Sequence, residues 1–423
     1  MLMWDPQVCH HQQGNGSSLS IFTNRTAVVS RDDGLMTVES IPPTSVFADA
    51  LRELVNVESP SDDREAVARA HHRLADIGQS LLGVAPSWAG QDDHATALTW
   101  HRGGPEDPAR VLLLGHVDTV WPRGTIETRP FDVRDGLAYG PGVFDMKAGL
   151  VAGLHVLDAL DPEMPVSFMV TADEEIGSWA SRELIFEEAA RAQAVLVLEG
   201  AGPDGALKSA RKGWSVYQLQ LRGVAAHAGL EPHKGRNALI RLASLVGELS
   251  ALNHQVAGRT VTPTTASAGT TVNTVPALAE LSVDVRTEDA VDQQEVDRLI
   301  GVLAGTDQSG VEVRVSGGVN RPPMERAAAL PLLDRIRRME TPGSAPVADI
   351  AVGGISDANL TAAAGIPTLD GLGAVGGGAH ADDEWVDLDA TIQRVPLIVG
   401  LIRDLVRNPL DVSLREAASM RRA

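Results

Sequence analysis

Val111-Leu112-Leu113-Leu114-Gly115-His116-Val117-Asp118-Thr119-Val120 is the stretch that decides how this 423-residue chain folds. A short apolar run bounded by turn residues predicts a buried strand, so His116 and Asp118 leave its carboxyl end. In an open α/β sheet that edge is where ligands bind. Two positions apart on an extended chain, the two side chains point to the same side. Asp118 can then hold one ring nitrogen of His116 and leave the other for a metal. Alone, a His beside an Asp is an ordinary hydrogen-bonded pair. The rest of the chain supplies its company.

Length predicts two domains. Lys and Arg number 36 against 56 Asp and Glu, a net charge of −20, which argues against a nucleic-acid or anionic-membrane partner. Cys9 is the single cysteine, which excludes an internal disulfide framework and a multi-cysteine zinc site, so any metal must be held by oxygen and imidazole. No stretch is long and apolar enough to span a bilayer, and the N-terminus lacks the basic-then-apolar order of an export signal. The expected location is therefore the cytoplasm. Residues 1–35, with His10-His11-Gln12-Gln13 and Gly14-Asn15-Gly16, are polar and patternless and read as a disordered lead-in.

Apolar residues recur at helical spacing over 44–55, and the segment 59–63 supplies a cap for a second helix ending at 82. His71 and His72 fall inside that helix, on what reads as a solvated polar face. Strands and helices then alternate. After the strand at Val111 comes Tyr139-Gly140-Pro141-Gly142-Val143-Phe144-Asp145, with Asp145 at the turn into a helix over 146–160. A strand over 166–170 ends in Thr171-Ala172-Asp173-Glu174-Glu175, and another over 194–198 ends in Glu199. For Asp173 the default reading is a cap of the following helix, placed over 178–192. A carboxylate at the end of a buried strand costs desolvation energy unless it is paired or bound to a cation. Several of them, with histidines, are better explained by cations.

Around Lys212-Gly213 the texture changes. Alternating strands over 214–222, 278–286 and 311–315 and helices over 237–252 and 291–303 predict a small antiparallel sheet with helices on one face, inserted into the larger domain. After Arg321-Pro322-Pro323 the chain returns to helix, then to Gly353-Gly354-Ile355-Ser356-Asp357, a Gly-rich loop carrying His380, and a closing helix over 388–407. Capping explains Ser356 and Asp357, and Asp382, Asp383 and Glu384 read as supporting or solvated groups beside His380.

Five potential ligands emerge: His116, Asp145, Glu175, Glu199 and His380. Two divalent cations sharing one carboxylate would use them as two sets of three, with Asp145 counted twice. That donor set suits zinc, and three protein ligands per ion leave room for water. Glu174, beside a ligand without being one, is the candidate base.

Three signatures carry a resemblance: Gly115-His116-Val117-Asp118-Thr119-Val120; Tyr139-Gly140-Pro141-Gly142 with Asp145-Met146-Lys147-Ala148-Gly149; and Thr171-Ala172-Asp173-Glu174-Glu175-Ile176-Gly177. Together they resemble the co-catalytic zinc peptidase family that contains glutamate carboxypeptidase (carboxypeptidase G), aminoacylase-1, succinyl-diaminopimelate desuccinylase and peptidase T, with the glutamate carboxypeptidase branch nearest. The resemblance implies an α/β catalytic domain over 36–212 and 322–423, with a central mixed sheet flanked by helices, and an inserted α+β lid or dimerisation domain over 213–321. It implies two Zn2+ per subunit, with Co2+ or Mn2+ as substitutes. His116, Asp145 and Glu199 would hold one ion and Asp145, Glu175 and His380 the other. Asp118 would orient His116, and Glu174 would be general base and acid.

Ala226-His227-Ala228-Gly229 resembles the segment whose histidine reaches a neighbouring active site to stabilise the oxyanion, which implies a homodimer. Asn273, Arg286 and, more loosely, Arg321 resemble the family's contacts to a substrate carboxylate. The family's lysine after the zinc glutamate has no match: Ala206 lies nearest, with Lys208, Arg211 and Lys212 beyond it. The implied activity is hydrolysis of an amide bond next to a free carboxylate, as a carboxypeptidase or N-acyl-amino-acid amidohydrolase. The alternatives are a dipeptidase or small-ligand deacylase on the same site, or a non-catalytic binding protein that kept the fold.

Overall fold

The strand Val111–His116 has all six residues buried and lies inside a six-stranded sheet in a computed structural model. The structure describes residues 41–90, 96–104, 107, 110–253, 255–340 and 346–410. Cys9, the His10-His11 pair and the whole lead-in expected over 1–35 lie outside the described residues.

Across the sheet the strands run Ser87–Ala89, Ala97–His101, Val166–Thr171, Val111–His116, Ala194–Val197 and Thr368–Leu369. The last four are parallel neighbours, with His116 opposite Thr171 and Leu114 opposite Val197. Ala97–His101 joins antiparallel, so the sheet is mixed. Parallel strands end at one edge, and the residues just beyond their carboxyl ends are therefore gathered there: Asp118, Glu174 with Glu175, and Glu199.

Helix Ala148–Ala159 is buried at ten consecutive residues from Ala148 to Leu157, as an all-round apolar helix must be. Gly149 lets it dock on the sheet, because a Cβ there would run into the carbonyl oxygen of Leu198. Helix Thr44–Val55 has the expected bounds, and Arg64–Leu82 starts where Asp63 accepts the Ala66 N–H at 3.0 Å. Within it His72 is exposed against Trp88, but His71 is fully buried rather than solvated, and burial pulls its imidazole down to about 4. The expected closing helix is two, Leu388–Ile392 and Arg394–Arg407. Pro396 explains the break, since its ring would clash with the carbonyl four residues back.

A second, wholly antiparallel sheet runs Thr260–Ala268, Leu278–Thr287, Gly213–Arg222, Glu312–Arg321 and Gly305–Thr306. Its alternating inward residues, among them Leu219, Leu221, Leu281 and Val283, form one apolar cluster with Leu242, Leu245 and Leu249 of helix Ala238–Ser250 and with Val296 and Ile300 of helix Ala290–Gly301. The edge strand Thr260–Ala268 escaped the sequence because its residues are mostly exposed and Pro263 sits at a register shift; edges tolerate both. Asn359 Nδ2 donates to the carbonyls of Lys212 at 3.0 Å and Pro322 at 2.8 Å, one on each crossing into this sheet.

Two smaller sheets bear on the site. Leu207–Arg211 pairs in parallel with Asp349–Val352. Gly376–Gly377, Trp385–Asp387, Leu137–Tyr139 and Asp132–Arg134 form a four-stranded sheet that brings the loop before Asp145 against the loop of His380. No described helix is long and apolar enough to cross a membrane.

Candidate metal centre

The five expected ligands converge. His116 Nε2 lies 3.4 Å from Asp145 Oδ1 and 3.5 Å from Glu199 Oε1, and His380 Nε2 lies 3.5 Å from Asp145 Oδ2 and 3.2 Å from Glu175 Oε2. Asp145 thus offers one oxygen to each group of three. Buried His116 Nε2, Asp145 Oδ1 and Glu175 Oε1 make no hydrogen bond, and His116 Nε2 and Asp145 Oδ1 approach one another without being aligned on one another. Ligands about 2.0–2.1 Å from a tetrahedral ion stand roughly 3.3 Å apart, which is the spacing found here. Imidazole and carboxylate are also the donors that zinc takes when no thiolate is at hand. The chain's residues fit such an ion in both groups.

Electrostatics agree. Burial pulls the His116 imidazole down, but the carboxylates of Asp118, Asp145 and Glu199 outweigh it and hold the group well above its ordinary value. Asp145 and Glu175 hold His380 up at about 10. Burial raises Glu175 to about 7, opposed by His380. For Asp145 burial works upward too, but His116 and His380 win and keep it far below the carboxylate range. The carboxylates therefore favour positive charge at both histidines.

Asp118, fully buried, does more than orient His116. His116 Nδ1 lies 3.3 Å from its carboxylate and 3.0 Å from its backbone carbonyl. The carboxylate also accepts the backbone N–H of Glu174 and of Glu175, each at 3.1 Å, and the Ser61 hydroxyl at 2.7 Å. One side chain thereby sets both the first histidine and the turn bearing Glu174. Burial raises Glu174 well above the carboxylate range, opposed first by Arg321. Asp173 does not cap the following helix, which is Arg182–Ala189; it accepts Ala180 N–H at 2.7 Å and Ser181 Oγ–H at 2.5 Å and braces the turn.

Arg321 is 0% exposed, and its fork is committed. Nη1 holds Asp357 at 2.8 Å, and Nη2 reaches Ser178 Oγ at 2.8 Å and Glu174 Oε1 at 3.3 Å. In this conformation it is a buried partner of the Glu174 turn and presents no open face to a substrate carboxylate. Asp357 correspondingly makes no helix cap; Ser356 does accept the Ala358 N–H, at 3.1 Å. Arg211, near the missing lysine, is buried as well, with Nε on Asp370 at 2.6 Å and Nη1 on the carbonyls of Gly354 and Ile355.

His227, Asn273 and Arg286 lie on the second sheet and its turns, and no hydrogen bond or ion pair among the described residues joins them to the five-ligand group. His227 is exposed, and its Nδ1 accepts the N–H of Gly229 and of Leu230, each at 3.1 Å. With Nδ1 taken up as an acceptor, Nε2 is the ring nitrogen left to donate. Asn273 is exposed on the adjoining turn, where its carbonyl accepts the Ala228 N–H. Arg286 pairs with Asp284 on its own strand and lies over the Trp214 ring.

Glu384 is the side chain whose role sequence reasoning left open. It is 2% exposed and accepts from Phe144 N, Asp145 N, Gly142 N and Trp121 Nε1. An acid four residues past a candidate histidine was the available signal, but nothing in one dimension names those donors.

The sequence profile described as Peptidase family M20/M25/M40 matches residues 112–404. Carboxypeptidase G2 of Pseudomonas sp. (strain RS-16) is 30% identical over 404 residues, covering 91% of this chain and 95% of its own. A succinyl-diaminopimelate desuccinylase of Dechloromonas aromatica (strain RCB) is 26% identical over 321 residues, 69% of this chain and 82% of its own. Among solved structures, aminopeptidase PepT from Bacillus cereus ATCC 10987 superposes with a TM-score of 0.70 at 22% identity, over 87% of this chain and 100% of that one. The M20 family metallo-carboxypeptidase Sso-CP2 from Sulfolobus solfataricus gives 0.64 at 18% identity, over 84% and 98%. At these identities the structural likeness speaks for the fold.

Proposed function

Since the chain belongs to peptidase family M20/M25/M40 and is a metal-dependent hydrolase, we propose that it cleaves an amide bond adjacent to a free carboxylate, as a carboxypeptidase or N-acyl-amino-acid amidohydrolase. The observation that carries this reading is the convergence of two three-residue donor sets on a shared Asp145, with Glu174 beside them. His116, Asp145 and Glu199 would hold one zinc, and Asp145, Glu175 and His380 the second.

When bound, the metal pair supplies Lewis acidity, polarising the scissile carbonyl and easing deprotonation of water. Glu174 takes the proton of the attacking water onto a carboxylate oxygen and returns it to the leaving nitrogen. Burial that raises its pKa suits a group that must both accept and give a proton near neutral pH. Arg321 and Asp118 hold that side chain and its backbone in place. Arg286, bidentate to Asp284 through Nε and Nη2, keeps Nη1 for the substrate's free carboxylate, and Asn273 offers an amide.

His227 offers its Nε2 from an exposed turn and makes no hydrogen bond to the five ligands among the described residues. Its service is to the developing oxyanion in a second copy's site, and the unit over 213–321 is the lid and dimerisation element of a homodimer.

The test is a panel of N-acyl amino acids and dipeptides, each with a C-amidated twin, assayed with zinc, manganese and cobalt. Hydrolysis of the free acids and not of the twins is expected. Glu174→Ala should bind metal as the wild type does and turn nothing over. Metal uptake with no hydrolysis of any panel member would leave a binding protein on this fold instead.

A further inference from the structure

Glu384 lies four residues after His380, yet its carboxylate serves a different loop. Oε1 accepts Phe144 N at 2.8 Å and Asp145 N at 3.0 Å; Oε2 accepts Gly142 N at 2.8 Å and Trp121 Nε1 at 3.0 Å. Trp121 is itself held by the Arg129 guanidinium, 3.7 Å from its ring centroid. Gly142 takes a left-handed φ of 74°, which bends the loop so that the N–H groups of Gly142, Phe144 and Asp145 face one carboxylate while that of Val143 turns to the Gly140 carbonyl. The two loops also meet where Trp385 pairs with Tyr139, just before Gly140. A Cβ on Gly378 would lie 2.8 Å from Glu384 Cα, so the turn bearing His380 packs directly against the Glu384 backbone.

The consequence lies in the double duty of Asp145. Its Oδ1 faces His116 and its Oδ2 faces His380, so a small rotation of the Asp145 backbone displaces a donor from both groups at once. The backbone N–H of Asp145 is fixed by Glu384. We infer that Glu384 is a positioning residue that sets the angle of the shared carboxylate and the distance between the Asp145 and His380 loops, and so controls the affinity of both ion sites together. This rests on the two-ion reading above and adds a residue to which that reading assigns no part. Backbone anchors of metal ligands act in this way when the ligand's orientation, rather than its identity, limits affinity.

The experiment uses the full chain, stripped by chelator and titrated with zinc against a competing chromophoric chelator, then with cobalt to record its visible absorption. Glu384→Ala and Glu384→Gln should remain folded by circular dichroism and bind both ions about 10–100-fold more weakly, with an altered cobalt spectrum. Asp383→Ala, at the exposed neighbouring carboxylate, should match the wild type on both readouts. A folded Glu384→Ala protein with wild-type zinc affinity and an unchanged spectrum would overturn the inference. So would a loss confined to one ion, since that would limit Glu384 to its own loop. Should Glu384→Ala fail to fold, Glu384→Gln and Trp121→Phe, which removes a single donor, decide the matter by the same two readouts. A wild-type protein that takes up neither metal would sink the metal reading itself, an outcome separate from a wild type that loads and variants that load equally well.

Discussion

Arg321 Nη2 stands 3.3 Å from Glu174 Oε1, which places the last residue of the strand Glu312–Arg321 in contact with the carboxylate proposed as base. The same guanidinium holds Asp357, and all three side chains are buried. Removing the cation leaves two carboxylates unpaired in a low-dielectric setting, so Arg321→Ala should cost about 3–5 kcal/mol of stability in denaturant unfolding. Arg321→Lys keeps the charge without the fork and should fall between. In turnover, a folded Arg321→Lys should lose kcat with little change in KM. A rise in KM for free carboxylates alone would return Arg321 to substrate binding.

Asp118→Asn preserves shape but replaces an acceptor by a donor facing the N–H of Glu174 or Glu175. Zinc affinity should fall about 10–100-fold, because His116 loses its orienting partner. Chelator competition on the folded variant checks this.

The metal-free protein should lose stability with rising pH. His380 is raised from 6.5 to about 10, so the stability it contributes is complete below pH 6.5 and disappears as pH climbs through about 10. Glu175, raised from 4.5 to about 7, works in the same direction, since ionising it in the folded state costs stability across that interval. Thermal melts between pH 6.5 and about 10 should show Tm falling for the stripped protein and a much flatter trend with zinc. Zinc uptake should release protons and tighten as pH rises.

Gly149→Ala places a methyl on the Leu198 carbonyl and must push the helix Ala148–Ala159 off the strand that leads to Glu199. Overpacking of this kind costs about 1–3 kcal/mol, measurable by urea unfolding. Zinc binding should weaken with it.

His227→Ala should keep metal and lose turnover by about 10²–10³, as for loss of one oxyanion donor. Mixing it with Glu174→Ala, each inactive alone, should restore roughly a quarter of wild-type activity if the histidine acts across a two-fold dimer. No recovery, together with a fully active monomer by light scattering, would place the histidine elsewhere.

The sequence alone determined the alternation of apolar runs and acids, and with it the buried strands of a mixed sheet and the candidates His116, Asp145, Glu175, Glu199 and His380. These were legible because burial of a strand is written in its composition, and a carboxylate at its end is conspicuous for costing energy there. What the tertiary structure decided is who faces whom. That Arg321 turns inward to Glu174 and Asp357, that Glu384 gathers three N–H groups from a loop some 240 residues earlier and a fourth from Trp121, and that His71 is buried while His72 is not, all depend on packing between distant segments. The edge strand Thr260–Ala268 likewise exists only because Leu278–Thr287 lies beside it to accept its hydrogen bonds. Pattern along a chain reports what each residue costs to bury, and only the folded chain reports which partner offsets that cost.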